Sequence, residues 1–145
     1  MPITSSHTLQ DRLQALLDRL VDIAHGYDLI VDRAPASIRR LVAEIAEQHL
    51  RDIEELDRLA SDRDIPLDRD CTDIIAGDQI AARLRDVFAD DDRNTLDAIV
   101  IGEEIVVKRY DEVIACLAPD DDLHGVLLGH RDGLRQKVAQ IFEAV

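Results

Sequence analysis

Along four separate stretches of the chain, apolar residues recur every three or four positions, the repeat of one side of an α-helix. The first stretch carries Leu9, Leu13, Leu16, Leu20, Ile23, Ala24, Tyr27, Ile30 and Val31. The second carries Ile38, Leu41, Val42, Ile45, His49, Ile53, Leu56 and Ala60. The third runs from Leu96 through Ile99, Glu103, Val106 and Tyr110 to Val113 and Leu117, and the fourth from Leu123 through Leu127, His130, Leu134 and Val138 to Ile141 and Val145. Alternating runs of the strand period are few, so the spacing predicts an all-α chain.

The breaks between the stretches have physical causes. Thr8, with Asp11 three residues on, supplies a start signal for the first helix. Pro35 disfavours helix at Ala34, and Pro66 prevents easy continuation beyond Ser61-Asp62-Arg63-Asp64. The runs Asp90-Asp91-Asp92 and Asp120-Asp121-Asp122 place carboxylates where a helix N-terminus favours them. Between the second and third helices lies a less regular stretch, Asp64 to Asp92, too long to be structureless in a compact domain. Within it, Asp78 to Phe88 reads as a short helix, with Ile80, Leu84, Val87 and Phe88 on one side. The expected architecture is one domain, residues 1–145: a four-helix bundle with a long crossover that makes the second and third helices parallel, the topology of ferritin-like bundles.

Charge narrows the partners. Lys and Arg number 17 against 31 Asp and Glu, a formal net charge of -14. A surface this acidic lacks the basic clusters that hold phosphate backbones, and it repels anionic membranes. No nucleic-acid or membrane partner is expected. Cys71 and Cys116 are too few and too far apart for a disulfide framework or a zinc knuckle. Neither a signal peptide nor an apolar run of membrane-spanning length is visible, so the cytoplasm is the expected location.

Against these apolar stripes, a few polar side chains point the wrong way. His49 sits near the middle of the second stripe with Asp52 one turn on at its edge, Glu103 in the middle of the third, and His130 near the centre of the fourth. Tyr27 is the one polar member of the first. Counted from the shared end of a ferritin-like bundle, His49, Glu103 and His130 fall within about 6 Å of one level. Two imidazoles and a carboxylate suit a divalent ion such as zinc or iron with an open position, with Tyr27 and Asp52 as outer partners. The same three side chains also suit a metal-free hydrogen-bonded centre that fixes the register of the helices, the reading the residues favour.

The residues from Asp90-Asp91-Asp92 through Gly102-Glu103-Glu104 to Tyr110, together with Glu55-Leu56 and Ile65-Pro66-Leu67-Asp68, resemble a family of small bacterial ferritin-like bundles of unknown function. The resemblance spans about Leu9 to Ile141 and implies the ferritin-like fold without an activity. A di-iron centre would ask for a Glu on each of two helices and Glu-x-x-His on each of the others. Here Ala46 stands three before His49, Leu127 three before His130, and the first helix offers Leu20 and Ala24. Ferroxidase or oxygenase chemistry is therefore not expected, and no nucleophile triad, phosphate loop or dinucleotide fingerprint is present.

Two other roles fit the sequence. A non-catalytic interaction module forming a homodimer is one: Ile101 and Ile105 lie one turn apart away from the core, and Gly125, Gly129 and Gly133 form a stripe on the fourth helix where another helix or the crossover is expected to approach closely, across a dimer in one version. A histidine phosphotransfer bundle is the other, with His124-Gly125 and His130-Arg131-Asp132-Gly133 as its weak match; no Lys follows either His by one turn.

Overall fold

A computed structural model describes residues 2–30, 36–68 and 92–144. They form four helices: α1 (Pro2–Ile30), α2 (Ala36–Asp62), α3 (Asp92–Ile114) and α4 (Asp122–Ala144). No strand occurs among the described residues. The expected short helix at Asp78 to Phe88, and Cys71, lie outside them.

The predicted stripes supply the core, joined by Leu17, which the first stripe leaves out. Leu13, Leu16, Leu17 and Leu20 of α1 pack with Val42, Ile45, Ile53 and Leu56 of α2, Ile99, Val106 and Val113 of α3, and Leu123, Leu127, Leu134 and Ile141 of α4, all buried. Each such side chain contributes about 1.5–3 kcal/mol on leaving water. With no Trp and 3% aromatic residues, branched aliphatic packing carries the bundle.

Helix–helix contacts form a closed ring, α1 with α2, α2 with α4, α4 with α3, and α3 with α1. Side-chain contacts give the directions. Gln14 of α1 reaches Asp68 just beyond α2, while Tyr27 packs on His49. Arg12 reaches Glu112 of α3, while Tyr27 reaches Glu103. Arg63 after α2 pairs with Asp121 before α4, while Glu55 meets His130. Neighbours are thus antiparallel, and α2 and α3, across a diagonal, run parallel. The end of α2 and the start of α3 lie at opposite ends of the bundle.

Helix ends follow local chemistry. Asp64 takes a left-handed conformation, φ 57°, as the residue after a helix end often does. Two paired bonds close that turn, Ile65 N to Ala60 O at 2.9 Å and Asp64 N to Ser61 O at 3.1 Å. Helix α4 is capped by Asp121, whose Oδ1 accepts the Leu123 amide at 2.9 Å, satisfying one orphan donor of the first turn. Helix α1 begins six residues before the expected Thr8 start.

Candidate functional site: two buried histidine–carboxylate–tyrosine networks

Apart from Asp22 of α1, the buried polar side chains belong to two groups among the described residues. In the first, Tyr27 (α1), His49 (α2) and Glu103 (α3) are each 0–1% exposed. The Tyr27 hydroxyl donates to Glu103 Oε1 at 3.1 Å. His49 Nε2 lies 2.8 Å from the same oxygen and 3.1 Å from Oε2. A carboxylate only accepts, so Nε2 is the donor when Glu103 is ionised. The Tyr27 and His49 rings stack with centroids 6.3 Å apart.

Close approach of α1 and α3 makes this contact possible. Gly102 precedes Glu103, and a Cβ there would lie 3.2 Å from Ile23 Cδ1 and 3.9 Å from the Tyr27 hydroxyl. Glycine at this position lets the helix carrying Tyr27 come near enough for a phenol to reach a carboxylate on the neighbouring helix.

The second group joins α2, α3 and α4. His130 Nε2 lies 3.0 Å from Glu55 Oε1 and 3.6 Å from Asp52 Oδ1. The Tyr110 hydroxyl stands 3.4 Å from Asp52 Oδ2 and 3.4 Å from His130 Nδ1. Gln48 donates to Asp52 Oδ1 at 2.8 Å, and the Tyr110 ring meets the His130 ring edge-on, 5.9 Å between centroids. Asp52 is 2% exposed. Glu55, with its side chain 40% exposed, brings this group to the solvent edge.

The two groups feel each other. Burial first, then the Asp52 charge and its hydrogen bond, then the charges of Glu103 and Glu55, hold the Tyr110 hydroxyl well above the usual phenol range. Burial first, then the Glu103 charge and hydrogen bond, do the same to Tyr27. Deprotonating either would put a second negative charge beside a buried carboxylate.

Of the three residues expected to converge, His49 and Glu103 meet, while His130 belongs to the second group with Asp52, Glu55 and Tyr110. The level count sets His130 beside His49 and Glu103, but its partners are Tyr110, two turns after Glu103, and Glu55, further along α2 from His49, so it sits one to two turns along the bundle from the first group. Asp52 belongs to the second network with Tyr110 and His130, and the Tyr27 hydroxyl donates to Glu103. Sequence reasoning passed over Glu55 and took Tyr110 as part of an apolar face. The spacing His49-x-x-Asp52-x-x-Glu55 was the available signal, since positions three apart share a helix side. Tyr110 stands two turns after Glu103 on the same stripe.

Among the described residues, no group of three or more His, Cys, Asp and Glu side chains is arranged to hold a metal ion. His49 is bonded to Glu103 and His130 faces Glu55 and Asp52, and neither group supplies the paired Glu and Glu-x-x-His ligands of a di-iron centre among the described residues. One atom is left over. His49 Nδ1 is buried and has no hydrogen-bond partner among the described residues. A groove of about 290 Å³ between α3 and α4, walled by Val107 and Val138, ends against Glu103, but Glu103 itself is 0% exposed.

The surfaces expected to take a second copy are plain. Ile101 is 59% exposed and Ile105 half-buried. Nothing approaches within 4 Å of a Cβ built on Gly125, Gly129 or Gly133, so the close helix approach expected there is absent among the described residues. No protein-family model, curated protein or solved structure matches the chain. No described helix is long and apolar enough to cross a membrane.

Proposed function

We propose that this chain is a ferritin-like bundle that carries out no di-iron chemistry and serves as a non-catalytic module, its buried networks selecting one packing of the four helices. The closed triad of Tyr27, His49 and Glu103 carries this reading. Stripes of Leu, Ile and Val tolerate sliding by a turn with little loss. A Glu on α3 that must find a His on α2 and a Tyr on α1 does not, because any other register strands a buried polar group. The ferritin-like part is supported by antiparallel neighbours around the ring with α2 and α3 parallel across it, an arrangement that needs one long crossover.

His49 Nδ1 favours a second reading. An imidazole whose other nitrogen is held by a carboxylate, with its remaining lone pair free, has the orientation of a metal-ligating His. A single divalent ion on His49 is thus the competing role of the same centre.

Thermal melting separates the two. Protein stripped with a chelator should melt at the same temperature with and without added zinc or ferrous iron if the centre is structural. A rise in melting temperature that grows with metal concentration and disappears in His49→Ala would replace this reading with the metal one, because binding to the folded state alone stabilises it.

A further inference from the structure

The second network has one hydroxyl proton for two acceptors. Tyr110 stands 3.4 Å from Asp52 Oδ2 and 3.4 Å from His130 Nδ1, both longer than the roughly 2.7–2.8 Å of a committed hydroxyl bond. A phenol has a single proton to donate. Serving both neighbours at once requires His130 Nδ1 to bring its own proton.

Counting protons gives two self-consistent states. With His130 doubly protonated, Nε2–H faces Glu55 at 3.0 Å and Asp52 at 3.6 Å, Nδ1–H donates to the Tyr110 oxygen, and Tyr110 donates to Asp52. With His130 neutral, Nε2 keeps its proton, because a bare lone pair there would face two carboxylates. Nδ1 then becomes an acceptor and takes the Tyr110 proton. Asp52, 2% exposed, is left with Gln48 as its side-chain donor. We propose that Tyr110 is a proton-controlled selector between α2 and α4, bonded to Asp52 when His130 is charged and to His130 when it is neutral.

The surroundings allow such a device. Asp52 and Glu55 face His130 from α2, and Tyr110 faces it from α3, with Glu103 acting on Tyr110 from further along that helix. On its own helix the neighbouring Arg131 is taken up by Asp111 of α3 at 2.7 Å and by Asp132. The His130 side chain is 13% exposed and Glu55 40%, so protons have a route in from solvent. The first network lacks the device: Tyr27 and His49 both donate to Glu103, and no proton is contested. The inference stands on the second network alone and does not depend on whether His49 binds a metal.

Nuclear magnetic resonance tests it directly. Long-range proton–nitrogen correlation on uniformly labelled full-length protein, from about pH 5 to about pH 8, spans the range over which imidazoles change charge. The same samples report the Asp52 carboxyl carbon. On losing its charge His130 should become the Nε2–H tautomer, and the Asp52 carbon should shift with the same midpoint. In Tyr110→Phe the Asp52 shift should vanish while His130 still titrates, which separates rerouting through the hydroxyl from a mere field effect. A neutral His130 carrying its proton on Nδ1, an Asp52 signal flat through the His130 transition, an Asp52 shift that survives in Tyr110→Phe, or a His130 with one charge state throughout would each overturn the proposal. Should Tyr110→Phe fail to fold, the wild-type tautomer and the coincidence of the two midpoints decide alone.

Discussion

Glu103 is the residue on which the first network turns, and its replacement separates hydrogen bonding from charge. Gln at this position keeps an oxygen for the Tyr27 hydroxyl and gains an amide that His49 Nε2 can accept once its proton moves to Nδ1. Glu103→Gln should therefore change stability by no more than about 1 kcal/mol. Leu has nearly the same volume but strands both a buried imidazole and a buried phenol, so Glu103→Leu should cost about 3–5 kcal/mol, as when one partner of a buried pair is removed. Urea unfolding of the two variants checks the contrast, and equal losses would show that packing and not polarity dominates here. Neighbouring Gly102 has its own reason. Its absent Cβ would press on Ile23 Cδ1 at 3.2 Å, so Gly102→Leu should overpack the α1–α3 contact by about 1–3 kcal/mol.

At the scale of elements, the helices were legible because their cause is local. The three-four repeat, Pro35 and Pro66, and the two aspartate runs locate all four helices, and the buried side chains of α2, α3 and α4 fall on the predicted stripes. Glycines read less well, since sequence shows the loss of a side chain but not what stands opposite. Gly102 has a neighbour at 3.2 Å, while the more conspicuous Gly125, Gly129 and Gly133 stripe has none within 4 Å among the described residues. Gly129→Ala should accordingly stabilise α4 by up to about 1 kcal/mol, the helix-propensity difference, with no clash to offset it. A lower melting temperature, or a change of mass in solution, would reveal a partner on this face. The end of α2 offers a second gain. Asp64 holds φ 57°, a conformation that glycine adopts without strain. Asp64→Gly should raise the melting temperature while leaving the helical signal of the far-ultraviolet spectrum unchanged.

For the whole molecule, the site was half legible, and the reason is geometric. Periodicity says which side of a helix a residue occupies, so His49, Glu103 and His130 were all found facing inward. It does not fix how far one helix is offset along its neighbour, so His130, expected beside Glu103, stands opposite Tyr110 two turns on, which is how one expected centre became two. The division has a consequence for the stability of the entire bundle. Tyr27 and Tyr110 are the only tyrosines, and there is no Trp, so near-ultraviolet absorbance on alkaline titration reads these two phenols without interference. Burial and neighbouring carboxylates raise both above the ordinary value. A group whose folded value is raised contributes stability that is complete below its unfolded value, about pH 10 for a phenol, and is lost as pH rises through the folded value. The bundle should therefore hold its full phenol-linked stability up to about pH 10 and lose it above, the phenols ionising together with the loss of helix and not before it. Tyr27→Phe should remove one of the two phenolate signals and flatten the alkaline loss of stability. Phenolate absorbance that develops near pH 10 while the helical spectrum is still intact would mean that water reaches these hydroxyls in the folded protein, and that the two networks are open where the packing closes them.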